Sequence, residues 1–300
     1  MARGAHDARD LAGKVVVVTG GGRGIGAATA RLLADEGARV VIGDLDERLA
    51  NETADAVGGV GLPLDVTDHA GFDAFLDQVE REVGPVDALV NNAGIMPLAR
   101  VEDESDETAA TQVAVNLLAV IHGTKEMVRR WKARGATGHV VNISSAAGRV
   151  PVAGAATYTA TKHGVSGFSN ALHTELRSDG VPITVTAVHP VIVRTELAAG
   201  LKDTRGVPPI TPEDVAAAIV GVLQRPRRDV YVPSRLGFLV KLAAATPLAF
   251  NDFLSRAFKA ERAVLDAVDA AERRAYEDRI APPPGTTAPT AVPTNAKEPA

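Results

Sequence analysis

A chain of 300 residues that is 46% hydrophobic can build one large α/β domain or two smaller ones. Its net charge of −5 offers no basic face to nucleic acid or anionic lipid, and the absence of cysteine excludes disulfides, thiolate metal sites and a cysteine nucleophile. Residues 1–12 read as a flexible polar leader without the apolar core of a secretory signal, and no run of about 18 apolar residues is long enough to span a bilayer. A cytoplasmic protein is therefore expected.

Residues 14–20, KVVVVTG, form a β-branched run of the kind buried on both faces of a parallel sheet. GGGRGIG follows at Gly20–Gly26, and a helical pattern then continues through Ile25, Ala28, Leu32 and Leu33. Strand, glycine turn and helix start make a cradle for phosphate: the backbone can approach closely and free helix N–H groups face the anion. Gly20, Gly22, Arg23, Gly24, Ile25 and Gly26 are the candidate cofactor contacts there, Arg23 being a base that can also meet a phosphate.

A second strand, 38–43, ends at Asp44, 24 residues beyond Gly20. An acidic residue at that point accepts hydrogen bonds from adenosine ribose hydroxyls and repels a 2′-phosphate, so NAD is favoured over NADP. Asp44 can equally cap a helix over Leu45–Val57. Val60–Leu64 is a short third strand, closed by Asp65 and Val66 where an adenine edge can lie, and Asp68–Val83 is the next helix.

Val86–Val90 is the fourth strand, followed by NNAG at Asn91–Gly94. Asn92, Ala93 and Gly94 make a sharp turn whose polar side chains can pin neighbouring backbone. Ile95–Leu98 either lines a pocket or anchors the loop in the core. A long helix is predicted over Asp106–Arg134 with Asn116 in its middle, where an amide competes with the helix backbone unless it has other work, such as holding a water beside an active site. His139–Ile143 is the fifth strand and ends in Ser144 and Ser145, hydroxyls at the edge where open α/β sheets bind ligands.

The stretch Ala153–Val165 contains Tyr158 and Lys162, four residues apart and on one face of the helix that its alanines and the later apolar positions Val165, Phe168 and Leu172 predict. A phenol titrates near 10 when unperturbed, and a neighbouring ammonium favours its ionised form, which suits it to proton transfer. Pro182–Val188 is a sixth strand, His189–Thr195 its loop, Leu197–Pro209 a candidate lid, and Asp229–Val232 a seventh strand after a helix that starts at Thr211. The alternation of strand and helix predicts a Rossmann-type doubly wound α/β fold, a parallel sheet of about seven strands with helices on both faces.

Beyond Pro233 the pattern changes. An apolar stretch, Leu236–Phe250, precedes a helix predicted over Asn251–Ile280, and residues 281–300 are Pro/Thr/Ala-rich and expected to be disordered. The expected organisation is a dinucleotide-binding catalytic domain at 13–233, a helical extension at 234–280 and a tail. Leu236, Phe238, Leu239, Leu242 and Leu248 must cover a pocket mouth, a partner subunit or a membrane surface. The few bases nearby disfavour anionic lipid, and a lid over an apolar pocket implies a lipophilic substrate such as a steroid, terpenoid or fatty alcohol.

Together these residues resemble the short-chain dehydrogenase/reductase family over about residues 11–233: TGGGRGIG at Thr19–Gly26, NNAG at Asn91–Gly94, Asn116, Ser145 and the Tyr158xxxLys162 pair, all in order. The resemblance implies an NAD(H)-dependent oxidoreductase interconverting a secondary alcohol and a ketone, with no metal. Tyr158 would be the acid/base and Ser145 would bind the substrate oxygen. Lys162 would hold the nicotinamide ribose, and Asn116 would hold a water in a proton relay. It also implies nicotinamide contacts from Pro190, Val193 and Thr195, and a homodimer or homotetramer built on the two long helices, where Val113, Leu117, Leu118 and Ile121 can face core or partner. Val191 departs from the family's usual glycine, and a C-terminal extension of this length is uncommon in it. A non-catalytic dinucleotide sensor or scaffold is the alternative, but it has no use for an intact Ser–Tyr–Lys–Asn set. The extended branch of epimerases and dehydratases carries a larger substrate domain and a different glycine fingerprint.

Overall fold

The computed structural model describes residues 8–201, 209–235, 237, 264–268 and 270–281. The apolar stretch Leu236–Phe258 (save Gly237), most of the predicted lid at 202–208, residues 1–7 and the tail from 282 lie outside the described residues.

Seven parallel strands stand in the order β3-β2-β1-β4-β5-β6-β7. They are β1 Val15–Thr19, β2 Arg39–Asp44, β3 Val60–Pro63, β4 Ala88–Asn91, β5 Gly138–Ile143, β6 Ile183–Pro190 and β7 Asp229–Val232. Each β-branched run buries both faces. In β1, Val16 and Val18 join one core with Leu33 of helix α1 (Gly24–Asp35), Ala50 of α2 (Glu47–Val57) and Ile219 of α7 (Pro212–Gln224). Val15 and Val17 join the opposite core with Phe72 of α3 (His69–Glu82), Trp131 of α5 (Ala119–Arg134) and Leu176 of α6 (Ala156–Ser178). The period-two alternation of a strand thus holds the two helical layers apart. The sheet reverses its winding between β1 and β4, and the loops leaving their carboxyl ends form the crevice where such sheets take ligands.

Three expectations need correction. The helix predicted over Asp106–Arg134 is not uniform: α4 (Asp106–Val113) passes through a π-helical turn, Ala114–Leu118, before α5. The extra residue in that turn frees the amide of Asn116 from the helical pattern. Of the helix predicted over Asn251–Ile280, the described residues are not continuous either. Ala270 adopts an extended conformation, a short 3₁₀ turn spans Ala271–Arg273, and α8 covers Arg274–Ile280. The leader is not loose over its described residues, because Leu11 is buried and the Arg9 N–H donates to the Gln224 carbonyl at 2.9 Å. Among the described residues no helix is long and apolar enough to cross a membrane.

Candidate active site

The glycine loop between β1 and α1 is packed too tightly for side chains. A Cβ on Gly26 would stand 2.2 Å from the Gly20 carbonyl oxygen. Helix α1 begins at Gly24 with no side chain capping its N-terminus, so its first N–H groups remain available to an anion. Ile25 is partly buried against the core shared by β1, α1 and α7. Arg23 is not free to serve a phosphate alone, because its guanidinium lies 3.3 Å from Glu196 and 3.8 Å from Asp46.

Asp44 ends β2 and is buried. Its Oδ2 accepts the Gly22 N–H at 2.8 Å and its Oδ1 accepts the Asp46 N–H at 3.1 Å. Each carboxylate oxygen keeps a second acceptor position, so the group both shapes the glycine loop and can accept ribose hydroxyls. The cap of α2 is Asp46, which accepts from Leu49 N–H, and not Asp44. Asp65 is exposed and bonded to the N–H and hydroxyl of Thr67, while Val66 is buried in the core.

Asn91 is the last residue of β4 and lies in the core, where its Nδ2 donates to Asn142 at 2.8 Å and Thr124 at 3.1 Å. Asn92 turns back, its Nδ2 donating at 2.9 Å to the carbonyls of both Thr19 and Gly20. The Thr19 hydroxyl accepts the N–H groups of Asn92 and Ala93, so two short loops from adjacent strands are pinned to each other. A Cβ on Gly94 would approach Asn116 Oδ1 at 3.2 Å and Lys162 Nζ at 3.6 Å, so the glycine lets the turn lie close against both.

Asn116, Ser145, Tyr158 and Lys162 come together at the carboxyl edge of β4 and β5. Asn116 is fully buried and holds both backbone groups of Ile95. Ser145 Oγ accepts the Ala147 N–H at 3.1 Å. Ser144, its neighbour, is buried away from the crevice against Ser166 and the Lys162 carbonyl. Lys162 Nζ donates to the Ile143 carbonyl at 2.9 Å and lies 5.6 Å from the centre of the Tyr158 ring. Burial dominates both titrations. It pushes Tyr158 up to about 12, against the opposing influence of the Ser145 hydroxyl, and it lowers Lys162 to about 8. For Tyr158 the loss of water on burial thus outweighs the other influences on the phenol.

The loop after β6 faces the glycine loop. Pro190 ends the strand, the Val191 N–H continues the ladder to the Val232 carbonyl at 3.0 Å, and Val191 packs on the core where the family usually has glycine. Val193 is buried beside Ile210 in the same core. The methyl of Thr195 reaches across to within 3.4 Å of a Cβ placed on Gly24. Two groups behind Ser145 had no signature in the sequence. His189 is fully buried, with Nδ1 3.3 Å from the Ser145 carbonyl and Nε2 2.9 Å from Asp229. Burial alone would raise Asp229, but the hydrogen bond and charge of His189, with Arg149 at 2.8 Å, hold it below the usual carboxylate range.

Residues 14–206 match the family model for the short chain dehydrogenases. The chain is 38% identical over 190 residues to the probable oxidoreductase EphD of Mycobacterium tuberculosis, although the match covers only 32% of EphD. It is 34% identical over 238 residues, 79% of this chain and 93% of the relative, to the 3-oxoacyl-(acyl-carrier-protein) reductase FabG of Vibrio cholerae. A crystal structure of a short chain dehydrogenase/reductase from Burkholderia phymatum in complex with NAD superposes with a TM-score of 0.71 at 25% identity, covering 78% of this chain and 94% of that one. Together with the pinned glycine and NNAG loops and the Asn–Ser–Tyr–Lys cluster above them, the match establishes that the chain belongs to the short-chain dehydrogenase family.

Proposed function

We propose that the protein is an NAD(H)-dependent oxidoreductase that interconverts a secondary alcohol and a ketone, with Tyr158 giving and taking the proton. The observation that carries this reading is the buried Tyr158 phenol with Lys162 Nζ 5.6 Å from its ring centre, on the Ser145 side of the crevice where the Ser145 hydroxyl pulls its titration down. The uncapped start of α1, the glycine loop and the free acceptor positions of Asp44 suit a dinucleotide. When bound, its nicotinamide would supply or accept the hydride.

The chain's own groups divide the remaining work. A phenol pushed up to about 12 stays protonated at neutral pH and is ready to donate as a ketone oxygen gains charge. The Ser145 hydroxyl can donate to that same oxygen and stabilise the charge developing there. Lys162, lowered to about 8, exchanges protons readily near neutrality, and Asn116 holds the adjoining loop in register. Alcohol oxidation needs the phenolate, which must be favoured by the positive charge of the oxidised cofactor and of Lys162.

A buried carboxylate at Asp44, at the end of β2 beside the glycine loop, would repel a 2′-phosphate, and Asp46 and Glu196 flank Arg23, a set of carboxylates that supports NAD over NADP. Tyr158 shares its buried surroundings with Met96, Leu98, Ala147 and Ala155, and Val152 and Leu197 lie alongside. Such walls suit an apolar substrate. The test is a panel of apolar ketones and secondary alcohols followed by NADH absorbance. Turnover with NADH supports the reading, whereas tight NADH binding without turnover of any member would favour a dinucleotide sensor.

A further inference from the structure

The described C-terminal residues do more than extend the chain. Arg273 is 1% exposed, and the backbone carbonyls it holds lie far away in sequence. One arm of its guanidinium donates to the Met96 carbonyl at 2.6 Å, in the loop after β4. The other donates to the carbonyls of Leu197 at 3.1 Å and Ala199 at 2.9 Å, in the loop after β6. Its Nε donates to Glu277 at 2.9 Å, which balances the charge within the segment. Tyr276 accepts the Met96 N–H at 2.8 Å, and Arg279 reaches Glu196 at 2.7 Å.

Upstream of Arg273 the same segment is apolar and sits on the approach to Tyr158. Ala267 is fully buried in one cluster with Tyr158, Met96, Leu98 and Ala155, with Val264 and Val268 packed against it. Two glycines permit the approach, both at positive φ. A Cβ on Gly154, four residues before Tyr158, would press on Leu265 at 3.3 Å and Val268 at 3.4 Å. A Cβ on Gly200 would strike Ala270 at 2.9 Å and Arg273 at 3.0 Å. Burial raises both Tyr276 and Tyr158, and the charge on either phenol would be felt by the other. α8 also borders a cavity of about 260 Å³ with Ile95, Pro97, Thr108 and Thr111.

We propose that residues 264–268 and 270–281 form the outer wall of the substrate pocket. Arg273 is the positioning residue that ties this wall to the loops after β4 and β6, and Val264, Ala267 and Val268 limit the size of the apolar ketone received beside Tyr158. The proposal rests on the reading of Tyr158 as proton donor. It adds that recognition is completed by a segment outside the sheet domain, held by one buried cation on three backbone carbonyls.

The test compares the full-length wild type with Arg273→Met and Ala267→Val, using NADH with cyclohexanone and with 2-decalone. Arg273→Met should raise KM for both ketones at least tenfold, change kcat less than threefold and leave the Kd for NADH within twofold. Its hydrogen–deuterium exchange should quicken at residues 95–99 and 196–201 and stay unchanged in β1 and α1. Ala267→Val should raise KM for 2-decalone alone. A merely structural Arg273 would instead lower the melting temperature and the active fraction with KM unchanged, and that result would overturn the proposal. So would unaltered exchange in both loops. If the wild type reduces neither ketone, the proposed activity loses support, while the exchange arms still decide whether Arg273 holds the two loops.

Discussion

Asn116 and Ile95 are joined by two reciprocal hydrogen bonds, Oδ1 accepting the Ile95 N–H and Nδ2 donating to the Ile95 carbonyl, each 2.8 Å long. The π-helical turn at Ala114–Leu118 is what lets one helical amide grip both backbone groups of a loop residue. Each amide atom keeps one further hydrogen-bonding position for a water. Asn116→Ala leaves two buried backbone groups unpaired, at about 1–3 kcal/mol each when no water replaces the amide. A fall of that order in unfolding free energy by denaturant titration is expected, with reduced turnover. Unchanged stability would mean the loop after β4 is held by other contacts.

Asp44 is the proposed determinant of cofactor choice. Asp44→Ala removes the carboxylate that would face a 2′-phosphate and also the acceptor for the Gly22 N–H. The ratio of kcat/KM with NADPH to that with NADH should rise at least tenfold, partly through weaker NADH use. A wild type that uses both cofactors equally would show that Asp44 does not face the adenosine ribose.

The proton donor's titration gives the two reaction directions different pH dependence. Burial sets Tyr158 near 12, so ketone reduction should hold steady from pH 6 to about 8. It should then weaken as Lys162, lowered to about 8, loses its charge. Alcohol oxidation needs the phenolate and should rise over the same range. Parallel profiles in the two directions would contradict this division.

Acid stability should depend on His139. Burial, with the Arg9 cation nearby, lowers it from 6.5 to about 3, and its Nε2 is 2.9 Å from the Thr186 hydroxyl. Between those values the unfolded chain binds a proton that the folded protein does not. Stability is therefore present above pH 6.5 and is lost as pH falls toward 3, by about 1.4 kcal/mol per unit at most. His173 is also lowered and acts in the same sense, whereas Asp229 contributes only below its ordinary value of 3.8. His139→Gln should flatten the fall in melting temperature between pH 6 and 4 relative to the wild type. An equal slope in both proteins would assign the acid sensitivity elsewhere.

Much of this was legible in the sequence because it is local. Runs such as VVVVT state a doubly buried strand, and a glycine loop between strand and helix states a cradle. Tyr158 and Lys162 share a helix face by spacing alone. What was not legible depends on partners far along the chain or on burial. Nothing near residue 273 signals a bond to Met96, 177 positions away. The continuous helix expected over Asn251–Ile280 breaks in its described part, where Ala270 turns extended just before the buried Arg273. The upward push of burial on Tyr158 was not legible either, because charge spacing can be read from a helix pattern but desolvation cannot. His189 and Asp229 come from separate strands and meet only in the folded sheet.

Exposed Leu118 sits on the π-helical turn while its neighbour Leu117 packs inward on Gly164. If the helices α4 to α6 pair two copies of the chain, Leu118→Lys should shift the light-scattering mass toward the monomer at micromolar concentration. A wild type that is already monomeric at that concentration would remove the expectation of a homo-oligomer.

The central claim is that Tyr158 transfers the proton, and the most direct measurement is a single-turnover comparison of wild type and Tyr158→Phe, each loaded with NADH and mixed with a ketone the wild type reduces. The ring and its packing survive in the variant while the donor is lost. Hydride transfer should slow by a factor on the order of 10² to 10⁴ with NADH affinity unchanged. A rate within a few-fold of wild type would contradict the assignment of Tyr158 as the proton donor.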